Sequence, residues 1–153
     1  MQDSVETVTL VRTVNARPQR VYEAWIDPRQ LEQWLTQTAE ADARVGGCFR
    51  LQVKKENETH VVSGEYRELV PGRRIVKTWV YEGPYAPEGS MHARLTVELG
   101  ENGANTEVSL RHEGLTSPRY RAAIQQGAWT KALDNLEALL TASVPPGEDS
   151  SLA

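Results

Sequence analysis

The chain has 153 residues, 39% hydrophobic and 25% charged, with a formal net charge of −4, which suits one globular domain built on a single core. No apolar run approaches the ~20 residues that span a bilayer. The opening "MQDSVETVTL" resembles no secretory signal, and the lone Cys48 excludes an intramolecular disulfide and predicts a cytoplasmic location. The basic residues are scattered, with Lys54-Lys55 and Arg73-Arg74 the only adjacent pairs, so nothing marks a nucleic-acid partner.

"VETVTLVRTVNA" places Val8, Leu10, Arg12 and Val14 on one face and Thr7, Thr9, Val11 and Thr13 on the other, the near-alternation of a strand. Pro18 fits the first turn of a helix in which Val21, Tyr22, Trp25 and Ile26 recur at helical spacing. Asp27-Pro28-Arg29-Gln30 ends that helix and starts a second, with Asp27 as cap, Pro28 in the first turn and Gln30 where a capping-box partner reaches back. Leu31, Trp34 and Leu35 share its apolar side. Trp25 and Trp34 are therefore expected to seal one end of the fold or to pack in its core.

After Gly46-Gly47 the period changes. "CFRLQVKK", "HVVSGEYRELV", "RRIVKTWVYE", "MHARLTVELG" and "NTEVSLRHEG" favour β-branched and aromatic residues and mostly alternate. "ENET", Pro71-Gly72, "EGPYAPEGS" and "ENGAN" separate them with turn chemistry, which predicts successive antiparallel strands. Pro71-Gly72 suits the centre of a type II turn. The loop at residues 82–90 carries Tyr85 between two prolines, read as exposed, where it is placed to gate a mouth or touch a second subunit. A homodimer is thus compatible with the sequence. From Ser117-Pro118 helical spacing returns to about residue 141, with Ile124, Trp129, Leu133, Leu136 and Leu140 in one stripe. As one unbroken helix this segment is roughly 35 Å long, enough to cross the whole sheet. Residues 1–143 are expected to form one domain and residues 144–153, "VPPGEDSSLA", a disordered tail.

These pieces predict an α+β protein: a curved antiparallel sheet wrapped around a long C-terminal helix, with two short helices after the first strand. Five stretches strengthen that reading: "ARPQRVYEAWIDPRQLEQWL" (16–35), "VGGCFRL" (45–51), "GEYRELVPGRRIVKTW" (64–79), "TEVSLRHEGL" (106–115) and "WTKALDNLEALL" (129–140). In this order they resemble the bacterial branch of the START-like, or SRPBCC, superfamily with its helix-grip fold. Within it the chain is most similar to the family named for the C-terminal domain of the activator of the heat-shock protein 90 ATPase. The resemblance covers about residues 8 to 141 and implies a cavity between sheet and last helix. It departs from the family at Trp34-Leu35, where the family commonly has a second aromatic. In "IQQGAW" the family's histidine is missing, so no role for that histidine transfers.

Strand alternation selects an inward set of Phe49, Leu51, Val53, Val62, Gly64, Tyr66, Ile75, Lys77, Trp79, Met91, Ala93, Leu95, Val97, Leu99, Val108, Leu110 and His112. The alternate set is polar, including Arg50, Gln52, Glu65, Arg67, His92, Arg94, Glu98, Glu107 and Arg111. A small hydrophobic or aromatic ligand is the expected partner. Its binding residues are taken to be Trp25, Trp34, Phe49, Leu51, Tyr66, Lys77, Trp79, Leu95, Val97, Leu110, His112, Trp129 and Leu133. Gly64 leaves room in the wall for a bulge or for that ligand. Tyr66, Lys77 and His112 are the polar groups of the set, the composition of a small-molecule site.

No metal-ligand spacing, nucleophile elbow or phosphate loop occurs, so no metal, cofactor or catalytic residue is assigned. Cys48 reads as a buried inert thiol, and Glu68 as a rim residue sharing the inward parity. Two other functions stay open: a cyclase-, hydratase- or lyase-like enzyme using Tyr66, Lys77 or His112 as acid or base, and a chaperone-activating module. The superfamily raises the first and the family name the second. The eukaryotic activator carries an additional N-terminal domain, so that label is expected to transfer by fold rather than by activity.

Overall fold

In the computed structural model, which describes residues 6–87 and 89–141, seven strands form one antiparallel sheet in the order β1-β7-β6-β5-β4-β3-β2. The strands are β1 (Val8–Val14), β2 (Thr38–Ala41), β3 (Cys48–Lys55), β4 (Glu58–Val70), β5 (Arg74–Glu82), β6 (Ser90–Asn102) and β7 (Asn105–Glu113). Two short helices, α1 (Pro18–Ile26) and α2 (Pro28–Trp34), follow β1, and α3 (Pro118–Gln125) and α4 (Ala128–Thr141) end the described chain. The tail expected at residues 144–153 lies outside the described residues.

The dry and wet faces separate as alternation predicts. In β6, Met91, Ala93, Leu95, Val97 and Leu99 are buried while His92, Arg94 and Glu98 are exposed. Trp79 and Leu110 face the same core. Apolar packing and ion pairs then fix α4 on that face. The α4 stripe of Trp129, Leu133, Leu136 and Leu140 is buried, and Arg12 of β1 forms ion pairs with Asp134 at 2.5 Å and Glu137 at 2.9 Å. Those two carboxylates hold the Arg12 guanidinium's pKa above its ordinary value. Asp27 ends α1 and starts α2: its N–H donates to Glu23 C=O, and its carboxylate accepts from the Arg29 N–H. With the Asp27 N–H already committed to α1, Gln30 donates to the Asp27 carboxylate instead of closing a capping box on the backbone.

Four expectations need correction. The C-terminal segment is broken rather than continuous, because Gly127 adopts φ +114° between the end of α3 at Gln125 and the start of α4 at Ala128. Spacing alone hid this, since Ile124 and Trp129 both remain buried across the break. The short edge strand β2 was not foreseen, as "TAEA" carries no β-branched run beyond Thr38. Glu68 faces outward: the register slips between Tyr66 and Glu68, so that Leu69 pairs with Ile75 and Glu68 bonds Arg74. Cys48 is exposed rather than buried, at the first position of β3 opposite Glu65. At Pro71-Gly72 the turn closes as expected, with Gly72 at φ +71° and the Arg73 N–H donating to Val70 C=O.

Candidate functional site

A run of aromatic rings crosses the core beside the aliphatic residues of β6 and β7. Trp34 and Trp25 meet edge to face at 4.7 Å, Trp25 lies 5.8 Å from Trp129, and Trp129 lies 5.7 Å from Trp79. Phe49 continues the series 6.2 Å from Trp79 and 5.6 Å from Tyr66. Each buried tryptophan removes ~150–250 Å² from water, so this run anchors α1, α2 and α4 to the sheet. Trp34 satisfies its indole N–H on Ala24 C=O at 3.0 Å. Trp25 and Trp34 therefore belong to the core of the α1–α2–α4 junction.

Between the sheet and the α3–α4 elbow a pocket of about 310 Å³ opens to the surface. Its floor is Leu51 and Val53 of β3, Val62 of β4, and Trp79 and Tyr81 of β5. Tyr120, Ala123 and Ile124 of α3 with Ala128, Trp129 and Ala132 of α4 form the roof. Leu35, Thr36, Lys55, His60 and Tyr85 complete the rim. The break at Gly127 falls between the α3 and α4 residues that line this opening.

Hydrogen bonds hold the aromatic wall in place. The Trp79 Nε1–H donates to the Tyr120 hydroxyl at 2.9 Å. The Tyr81 hydroxyl accepts from the Tyr85 N–H at 3.2 Å and lies 2.8 Å from His60 Nδ1. His60 Nε2 faces the Glu58 carboxylate at 3.3 Å. A carboxylate only accepts, so neutral His60 carries its proton on Nε2, and its Nδ1 accepts a hydrogen bond from the Tyr81 O–H. Tyr85 is half-buried rather than exposed, stacked 6.1 Å from Tyr81. Ser117, the cap of α3, donates to Tyr85 C=O, which ties the 82–90 loop to the roof.

One step deeper along the strands lies a polar row. Tyr66 pairs with Lys77, Lys77 with Leu95, and Leu95 with His112, so the row crosses β4, β5, β6 and β7. Tyr66, Lys77 and His112 are each 0% exposed. The Lys77 Nζ lies 4.2 Å from the Phe49 ring centre, 5.3 Å from Tyr66 and 5.7 Å from Trp79, inside an aromatic cage. Trp129 Nε1–H donates to His112 Nδ1 at 3.1 Å. An indole N–H only donates, so neutral His112 carries its proton on Nε2.

Burial sets the charge state of this row. It pushes Lys77 down to about 7 and Tyr66 up to about 12. His112 falls to about 3, by burial first and then by the nearby Lys77 charge. The Tyr66 hydroxyl, Lys77 Nζ, His112 Nε2 and Trp25 Nε1 are buried with no hydrogen-bond partner. None of Tyr66, Lys77 and His112 hydrogen-bonds another, and His112 sits two strands from Lys77.

Of the thirteen ligand-binding residues expected from sequence, Leu51, Trp79 and Trp129 line the open pocket. Phe49, Tyr66, Lys77 and His112 lie in the deeper row and its cage, while Trp25, Trp34, Leu95, Val97, Leu110 and Leu133 are packed in the core. Sequence reading missed Tyr81, Tyr120 and His60 as pocket residues. Tyr81 is the next inward position after Trp79, His60 precedes Val62 in the same parity, and Tyr120 stands one helical turn before Ile124. Gly64 is required for a different reason from the one expected: a Cβ there would lie 2.3 Å from Thr78 C=O, so it admits the neighbouring backbone rather than a ligand. Among the described residues no group of three or more His, Cys, Asp and Glu side chains could hold a metal ion. No described helix is long and apolar enough to cross a membrane.

Comparison with solved structures places the fold among bacterial proteins of similar size. Protein CV1439 from Chromobacterium violaceum is 29% identical, with a TM-score of 0.73 over 90% of this chain and 98% of that one. CalU16 from Micromonospora echinospora is 27% identical, with a TM-score of 0.68 over 88% of this chain and 75% of that one. MLL2253 from Mesorhizobium loti, at 21% identity and a TM-score of 0.74 over 91% of this chain and 99% of that one, shares the fold. No curated protein matches the chain. The family model described as Activator of Hsp90 ATPase homolog 1-like protein matches residues 15–141. That span runs from the turn after β1 to the end of α4, so the chain belongs to this family of the SRPBCC, START-like superfamily.

Proposed function

We propose that the protein binds a small apolar or aromatic molecule between the sheet and the α3–α4 elbow. The observation that carries this reading is the open pocket of about 310 Å³ walled by Trp79, Tyr81, Tyr120 and Trp129. An apolar concavity with a few polar groups at its rim is the usual form of a small-molecule site. Membership of a family whose domain typically encloses a ligand cavity supports the same reading.

Thermal unfolding in the presence of propylbenzene or naphthalene tests it. A ligand at one hundred times its dissociation constant stabilises the folded state by about 2.7 kcal/mol, so the midpoint rises with ligand concentration. Ala123→Phe projects a ring into the roof of the pocket and is expected to abolish the shift while leaving the unliganded protein folded. A midpoint indifferent to every apolar compound, or an equal shift in the variant, contradicts the reading.

A further inference from the structure

We propose that the ligand of this pocket presents a carboxylate to the buried row of Lys77, Tyr66 and His112, so that the site takes an aromatic or apolar acid rather than a hydrocarbon; this rests on the pocket reading above. The chemistry of the row points one way. Lys77 Nζ is a donor in its charged form, the Tyr66 hydroxyl has a proton to give, and Trp129 fixes the proton of neutral His112 on Nε2. The indole N–H of Trp25 is a fourth buried donor. Each of these atoms is fully enclosed without a partner, while the buried polar or charged residues of the described chain are Thr36, Lys77, Thr106 and His112, with no carboxylate among them. Buried donors without acceptors cost stability unless something supplies the acceptor.

Position favours the pocket's own ligand as that supplier. Trp79 belongs to both sites: its ring lines the pocket and lies 5.7 Å from Lys77 Nζ. Along β5 the inward positions run Tyr81, Trp79, Lys77, so the amine stands one inward position, about 7 Å, beyond the pocket floor. A two- or three-carbon linker bridges that step from a ring held against Trp79 and Trp129. Among the described residues, Tyr66 is the strand partner of Lys77 on β4, and the Lys77 charge acts on His112 of β7. Neither supplies a negative charge at neutral pH, so the incoming carboxylate is the counter-ion that the ammonium lacks. Trp79 must shift from its bond to the Tyr120 hydroxyl to open this path.

Three probes of equal length test the proposal by calorimetric titration: 3-phenylpropionate, propylbenzene and 3-phenylpropylamine. The wild-type protein is expected to bind the carboxylate at least tenfold tighter than the hydrocarbon at pH 7, and the amine more weakly than either. Carboxylate affinity falls as pH rises above 7, approaching tenfold per unit, and binding takes up a proton, because the ammonium form is the one selected. Lys77→Met keeps propylbenzene binding and loses both the carboxylate preference and the pH dependence. Equal affinity for the acid and the hydrocarbon, the result expected if internal water serves the donors, overturns the proposal and leaves the pocket reading standing. A preference that persists in Lys77→Met also overturns it. Failure of all three probes to bind overturns both readings. The wild-type comparison and its pH profile stand even if the variant does not fold.

Discussion

At the residue scale the most consequential group is Lys77. A buried ammonium without a carboxylate is costly, and the protein reduces that cost with an aromatic cage and a depressed pKa, about 7 against the ordinary 10.5. Between those two values the unfolded chain holds a proton that the folded chain does not. Stability of the free protein therefore rises with pH through this window, with a slope of up to about 1.4 kcal/mol per unit. Lys77→Met removes the group and its slope. Urea unfolding of the ligand-free proteins should show the variant more stable at pH 7, with the gap to wild type narrowing steadily up to pH 9.5. A gap independent of pH means that the amine titrates normally. His112 acts in the same direction at lower pH: its folded pKa of about 3 makes stability fall as pH drops below the ordinary imidazole range.

At the scale of elements, β4 shows how one strand serves both fold and site. Gly64 brings its backbone against Thr78, and the Glu65 N–H donates to the Thr78 hydroxyl at 2.9 Å. The bulge after Tyr66 then turns Glu68 outward to Arg74 while Tyr66 stays opposite Lys77. Gly64→Ala places a Cβ where β5 backbone already sits and is expected to cost about 2 kcal/mol or more, measured by urea unfolding. A loss under about 0.5 kcal/mol, the range of neutral surface changes, contradicts a required close approach.

This strand also marks what the sequence makes legible. Alternation of apolar and polar residues reveals the inward face of β3, β5, β6 and β7, and of β4 as far as Tyr66, because burial on one side imposes a two-residue period. Bulges and helix breaks are not legible in the same way. Tyr66-Arg67-Glu68 looks like continued alternation, and Ile124 and Trp129 both stay buried on either side of Gly127. The site falls between these cases. Leu51, Trp79 and Trp129 emerge from periodicity, whereas Tyr120 and Tyr85 join the pocket through the elbow and the 82–90 loop, whose paths depend on tertiary packing.

At the scale of the whole molecule, four tryptophans divide the interior into two regions. Trp25 and Trp34 lock α1 and α2 against α4, and Trp79 and Trp129 wall the opening under the elbow. The fold thus sets a packed region beside the open pocket that the proposed ligand would enter.

The most direct test of this division is a titration followed by the four indole N–H signals in a nitrogen–proton correlation spectrum. With 3-phenylpropionate or propylbenzene the account predicts large shifts for Trp79 and Trp129 and a near-stationary Trp34, whose N–H stays bonded to Ala24. Shifts confined to Trp34, or no shift at saturating probe, would contradict it.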